Sequence, residues 1–289
     1  MDKNNSLKKQ VILSSFWLFG GNVVSRFISL VSTLILAKLL TPTDFGVIGY
    51  GFLVVQTVGL FRQMGFNSAL IYQDDNISVA ASTALWFSAA WSSCLYIIIF
   101  LMAPLAAGFF REPQLVPLLR VLSVTLIINS LSNIPMALME KSIDFKKRII
   151  PDVAQLSIYG IVTVILAFMG LRYWSFVIGN IIADIIQLII AFSLTPVKIN
   201  FKPDRKLFKS MFSFGKNIMG LGVIYFGIRN IDDFFVGRML GTSSLGIYQF
   251  SYRIANIPAT NISNVLGKLL YPSYKKIAIP SDFDKIDSK

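Results

Sequence analysis

Eight stretches of this chain are each apolar for about as many residues as a helix needs to cross a bilayer, and that repetition limits the fold more than any motif does. A helix rises about 1.5 Å per residue, so a hydrocarbon core about 30 Å thick takes about 20 residues to span. The stretches run over residues 11–37, 44–70, 78–105, 114–139, 149–170, 173–194, 212–238 and 243–271. Lipid offers no hydrogen-bond partner to backbone N–H and C=O groups, so segments of this length must satisfy them internally as α-helices. An all-α integral membrane protein of about eight transmembrane helices is the expectation. Of the 289 residues, 54% are hydrophobic and only 15% charged, more apolar sequence than a water-soluble core of this size requires. Residues 1–10 are polar and carry Lys3, Lys8 and Lys9. The apolar stretch behind them is too long for a signal-peptide core and lacks a small-residue cleavage site, so it is read as a retained first helix.

The net charge of +12 comes mainly from Lys and Arg placed between apolar stretches, which points to membrane topology and not to nucleic acid. Cations cluster in alternate connections. Lys3, Lys8 and Lys9 precede the first helix; Lys141, Lys146, Lys147 and Arg148 follow the fourth; Lys198, Lys202, Arg205, Lys206 and Lys209 follow the sixth. The opposite connections hold mainly single cations, Lys38, Arg111, Arg172 and Arg238. The positive-inside rule then places both termini in the cytoplasm, with the protein in the cytoplasmic (inner) membrane. Trp17 and the Tyr173-Trp174 pair fall near helix ends, as interfacial anchors do. With one cysteine, Cys94, and no histidine, the chain has no disulfide or Cys-based zinc site of its own, nor the commonest proton shuttle. No cofactor motif is present.

Segment 195–211, with Pro196, Pro203 and its lysines, reads as a linker after which the chain begins again. Displacement by 200 residues sets KLLTPTDFGVIGYGF at 38 against RMLGTSSLGIYQFSY at 238, matching Leu40 with Leu240, Gly46 with Gly246 and Lys38 with Arg238. The expected organisation is a cytoplasmic tail over 1–10, a complete six-helix N-lobe over 11–194, a basic cytoplasmic linker over 195–211, the first two helices of a second lobe over 212–272 and a cytoplasmic tail over 273–289. A same-orientation repeat implies two lobes related by an axis along the membrane normal, with the transport path between them.

Small residues recur every fourth position on the first helix, at Gly21, Ser25, Ser29, Thr33 and Ala37, and Arg26 lies beside that row. Such a row suits close helix packing, and an arginine at this depth is expected to face protein or trapped water. Polar stripes recur on other helices: Gln56, Gln63 and Asn67; Asn129 and Asn133; Asn180, Asp184 and Gln187; and Arg253, Asn256, Thr260, Ser263 and Asn264. Interhelical hydrogen bonds explain single amides, whereas stripes on several helices suggest a hydrated cavity. Arg26 and Arg253 have no carboxylate within helical reach, so they are the candidate anion ligands, with Asn22 stacked near Arg26 and Asn256 near Arg253. Arg229 can reach Asp232 or Asp233 within one turn, either as a self-neutralised pair or leaving one carboxylate, like Asp184, for a coupling ion. Pro135 and Pro258 are candidate hinges. Asp74-Asp75 lack the surroundings of a glycosyltransferase site and read as a helix cap.

The segments LLTPTDFGVIGYGF from 39, FRQMGFNSALI from 61, NIPMALMEKSIDFKKR from 133 and IDDFFVGRMLGTSSLGIYQFSYRIANIP from 231 resemble the hallmark segments of the polysaccharide-transporter (Wzx-like) flippases of the MOP/MATE exporter superfamily. The similarity extends over nearly the whole chain. It implies two lobes around a cationic cavity, no enzymatic activity, and passage of a polyprenyl-diphosphate-linked oligosaccharide from the cytoplasmic to the outer leaflet, with other polysaccharide-assembly proteins as partners. Ser25-Arg26 matches a Ser-Arg pair on the first helix of the related lipid II flippases, where the arginine belongs to the cavity. Family members have more helices than the eight counted here, so the chain is expected to be C-terminally truncated relative to them. A cation-coupled multidrug antiporter of the same fold and an integral-membrane glycosyltransferase or polymerase are the alternatives.

Overall fold

A computed structural model describes residues 20–21, 24–62, 70, 77–142, 145–197 and 205–255, with side chains left out at 145–146, 205–219 and 221. Among the described residues all regular structure is helical: α1 (24–39), α2 (Pro42–Arg62), α3 (Ile77–Phe110), α4 (Leu115–Leu122), α5 (Val124–Lys141), α6 (Phe145–Phe168), α7 (Trp174–Leu194), α8 (Arg205–Leu240) and α9 (242–255). Among the described residues five segments, Pro42–Arg62, Ile77–Phe110, Leu115–Lys141, Lys147–Phe168 and Trp174–Leu194, are long and apolar enough to cross a membrane. The protein is a multi-pass, all-helical membrane protein. The fourth apolar stretch is divided at Ser123 into α4 and α5, while α5 runs through the buried Pro135 without interruption. Pro258 lies outside the described residues. Helix α8 starts at Arg205, inside the stretch expected to be linker. Past Pro203 no proline or glycine interrupts the chain until Gly215, so the helix has reason to start early.

The bundle is arranged so that α6 packs most extensively on α7, α5 bridges α3 and α7, and α2 lies against α3, α4 and α8. Its core is built from Val47, Tyr50 and Leu53 of α2, Leu118, Leu119 and Leu122 of α4, and Phe176 and Val177 of α7. On α3 two opposed rows at four-residue spacing divide the work. Leu95, Ile99, Ala103 and Ala107 are buried, whereas Ile97, Leu101, Leu105 and Phe109 are exposed on the outside of the bundle. Both rows are apolar because one meets protein and the other acyl chains, the pattern expected of a helix in lipid.

Close approach is bought with glycine and hydroxyl residues. A Cβ on Gly21 would lie 2.8 Å from Ile149 Cγ1, and one on Gly160 would lie 2.6 Å from Ser32 Oγ, so side chains of each segment pack directly onto a glycine of the other. The buried side of α1 is Ser25, Ser32, Thr33 and Leu36, and the predicted fourth-residue row is corrected at Ser29 and Ala37, which are exposed. Four residues turn a helix by about 400°, so a strict four-residue row drifts about 40° per step around the surface. Ser25 Oγ donates to Gly21 O at 2.9 Å and Thr33 Oγ1 to Ser29 O at 2.7 Å, which satisfies both hydroxyls inside the helix.

The start of α2 is a capping box. Thr41 N–H donates to Asp44 Oδ2 at 3.1 Å, Asp44 N–H to Thr41 Oγ1 at 3.3 Å, and Pro42 occupies the first helical position. Asp44 is 2% exposed and its Oδ1 meets Arg172 Nε at 3.1 Å, tying this helix start to the turn between α6 and α7. Trp174 opens α7 with its ring 5.8 Å from that of Tyr173.

Candidate functional site

The polar stripes of α5, α6 and α7 converge on one carboxylate. Asn180, Asp184 and Gln187 share a face of α7 by their four- and three-residue spacing, and Arg148, Asp152 and Gln155 share one of α6. Where these faces meet α5, Asp184 accepts from Asn129 Nδ2 at 2.9 Å, Gln155 Nε2 at 3.1 Å and Asn180 Nδ2 at 3.1 Å. One turn further along, Gln187 Nε2 donates to Asp152 Oδ1 at 3.0 Å, and Arg148 bridges Asp152 and Glu140. Asp184 is 2% exposed, so its negative charge survives burial only through these donors and a nearby cation.

That cation is Arg62, the last residue of α2, which lies within electrostatic reach of Asp184. Its Nε is buried without a hydrogen-bond acceptor. A guanidinium nitrogen that is short of an acceptor is a ready donor to an incoming anion. The opening beside it is a cavity of ≈ 340 Å³ whose polar wall is Gln56, Arg62, Thr125, Asn129 and Asn180, with Phe52, Val55 and Leu60 on the apolar side and Phe226 of α8 across from them. Amides and a hydroxyl suit sugar hydroxyls, and the guanidinium suits phosphate.

The residues singled out from sequence fall in different places. Asp184 stands at the centre of the network, facing Asn129 as well as its own stripe. Arg26 is exposed on the flank of α1 next to the Thr33 side, away from the row that packs on α6. Arg253 is exposed too and lines a separate small cavity of ≈ 40 Å³ with Ile48, Gly49, Gln249 and Phe250. The sequence leaves open whether Arg229 pairs with Asp232 or Asp233 or leaves one carboxylate uncompensated, and among the described residues all three make other contacts. Arg229 lies over the Tyr225 ring at 5.0 Å, Tyr248 OH donates to Asp232, and Gln249 Nε2 donates to Asp233 at 3.0 Å. The reason is geometric: α9 folds back along α8 and offers neutral donors that need less desolvation than a guanidinium. Asn22, Asn256 and Asp74-Asp75 lie outside the described residues. Arg62 and Gln155 were missed. The signal for Arg62 was present, since it is an ionisable residue inside the second apolar stretch.

Comparison with known proteins gives the arrangement a context. The model of a family described as "Polysaccharide biosynthesis protein" matches residues 35–282. The chain is 26% identical over 281 residues to the teichuronic acid biosynthesis protein TuaB of Bacillus subtilis (strain 168), covering 94% of this chain and 56% of that protein. It is 25% identical over 246 residues to the succinoglycan biosynthesis transport protein ExoT of Rhizobium meliloti (strain 1021), covering 84% of this chain and 49% of that one. To the lipopolysaccharide biosynthesis protein WzxC of Escherichia coli (strain K12) it is 19% identical over 285 residues, covering 94% and 56%. The chain thus spans about half the length of the curated relatives it matches. Among solved structures it is similar to a MATE in the bent conformation, with TM-score 0.55 and 17% identity over 85% of this chain and 65% of that one. It is also similar to a MOP superfamily transporter from Pyrococcus furiosus, with TM-score 0.52 at the same identity and coverage. At that identity the likeness is one of fold.

Proposed function

This chain belongs to the polysaccharide biosynthesis protein family, and on that premise we propose that it acts as a flippase, not an enzyme, carrying a polyprenyl-diphosphate-linked oligosaccharide across the cytoplasmic membrane for surface polysaccharide synthesis. The observation that carries this reading is the cavity beside Arg62, which joins a guanidinium whose Nε is buried without an acceptor to a wall of amides. In this reading Arg62 grips the diphosphate, while Gln56, Asn129 and Asn180 take the place of water around the first sugar. The lipid tail stays in the bilayer. Asp184 fixes the amides and balances Arg62 when no cargo is present. Arg26 and Arg253, exposed on α1 and α9 and outside the lining of this cavity, add positive potential that draws an anionic headgroup, and the N-terminus is cytoplasmic, as the distribution of cations supports. Proteins that build and polymerise the oligosaccharide are the partners that would deliver and receive it. The antiporter alternative rests on likeness of fold alone.

The test is complementation of a strain lacking its own flippase of this family, read as surface polysaccharide at equal protein level in the membrane. A hydrogen bond to a charged group contributes about 1.5–3 kcal/mol, so Arg62→Ala should weaken binding by about 10- to 150-fold and depress export accordingly. Arg62→Lys, which keeps the charge but loses the planar fork, should fall between. Normal polysaccharide in Arg62→Ala cells would overturn the assignment.

A further inference from the structure

The ends of α2 and α9 nearest their preceding turns touch each other reciprocally. A Cβ on Gly46 would overlap the carbonyl oxygen of Thr242, and a Cβ on Gly246 would overlap the carbonyl oxygen of Pro42. Residues 42 and 46 are displaced from 242 and 246 by the same 200 residues that align the two internal segments. Contact of one residue with the equivalent of its own neighbour, repeated in the opposite sense, is what a two-fold axis between two like units produces.

Contacts around this point strengthen it. Gly49 lies against the Gln249 side chain, Tyr50 OH donates to Gly237 O at 2.8 Å, and Thr242 Oγ1 donates to Glu112 Oε2 at 2.8 Å. Phe45 and Phe250 rings sit 5.5 Å apart. From Phe52 to Arg62 the same helix lines the larger cavity, with Phe226 of α8 opposite. The close contact at the turn-bearing ends and the cavity toward Arg62 thus lie along one helix, α2.

We propose that this reciprocal glycine clasp is the outer gate of the transporter, closed in this structure, and that outward release requires the turns around 41–46 and 241–246 to separate. Its role in a transport cycle rests on the flippase reading above, whereas the closed contact and its measurement need no cargo. Glycine is required at both positions because backbone meets backbone there, and any side chain forces the helices apart. Tyr50 and Glu112 add hydrogen bonds across the contact, to Gly237 O and from Thr242 Oγ1, that hold only while the clasp is shut.

The experiment uses the full chain with Cys94→Ser and a reporter Ile48→Cys, at a residue that is 4% exposed beside Gly49 and Gln249. A membrane-impermeant maleimide is added to intact cells, and the labelling rate is read without any substrate. Slow labelling is expected in the parent, and a rise of about tenfold or more in Gly46→Val and in Gly246→Val, as the closed population falls. Tyr50→Phe, which removes one hydrogen bond without adding volume, should give a smaller rise and guards against misfolding of the valine variants. Gly51→Val is the packing control, since its side chain would overlap Leu118 of α4 and not the partner turn. Unchanged labelling in the Gly46, Gly246 and Tyr50 variants would overturn the proposal. So would an equal rise in Gly51→Val, or labelling only from the cytoplasmic face. Undiminished polysaccharide export with these labelling results intact would count against the flippase reading alone.

Discussion

Asp184 shows how much one buried side chain decides about its neighbours. Three amide nitrogens point at it, so removing the carboxylate strands donors from three helices. Each buried unsatisfied donor costs about 1–3 kcal/mol, and Asp184→Ala should lower the thermal stability of the detergent-purified protein well beyond the loss in Asp184→Asn, which keeps the shape and one acceptor oxygen. Equal melting temperatures for the two variants would show that the amides find other partners. Asp184 was readable in the sequence because it shares a stripe with Asn180 and Gln187. Gln155 was not, because only the crossing of α6 over α7 brings it to the same carboxylate.

Among elements, α1 and α6 test whether small residues set the packing distance. A side chain at Gly160 meets Ser32 at once, whereas one at Gly108 or Gly220 meets nothing within 4 Å. Gly160→Leu should therefore destabilise by about 1–3 kcal/mol through overpacking, while Gly108→Ala should be close to neutral. The cap of α2 offers a second measurement. Asp44→Ala removes the carboxylate half of the capping box and the Arg172 partner, so a loss of about 0.5–2 kcal/mol in unfolding free energy is the expectation. Apolar length revealed where most of these helices are, and the Thr41-Pro42-Thr43-Asp44 cap is visible as a pattern. The division at Ser123 carries no comparable sequence signal, since the flanking residues continue the same apolar run on both sides.

For the whole molecule, orientation and shape are the open quantities. If the basic connections are cytoplasmic, Met169→Cys in the turn after α6 should react with an impermeant maleimide from outside, and Ser142→Cys after α5 should react only once the membrane is permeabilised; both positions are exposed. The reverse pattern would invert the topology and move the glycine clasp to the inner face.

Sequence by itself settled that the chain is a helical membrane bundle, because hydrocarbon penalises any other backbone arrangement and the length of each apolar run is fixed by bilayer thickness. It also pointed to a buried carboxylate on α7 and to the two like turns at 38 and 238. Tertiary structure alone decided which cation faces that carboxylate, that Asp232 and Asp233 bond to α9 in place of Arg229, and that Gly46 and Gly246 meet each other's turns. Those outcomes depend on helix rotation and crossing. A bilayer constrains neither, and only the packing of side chains from distant segments selects them.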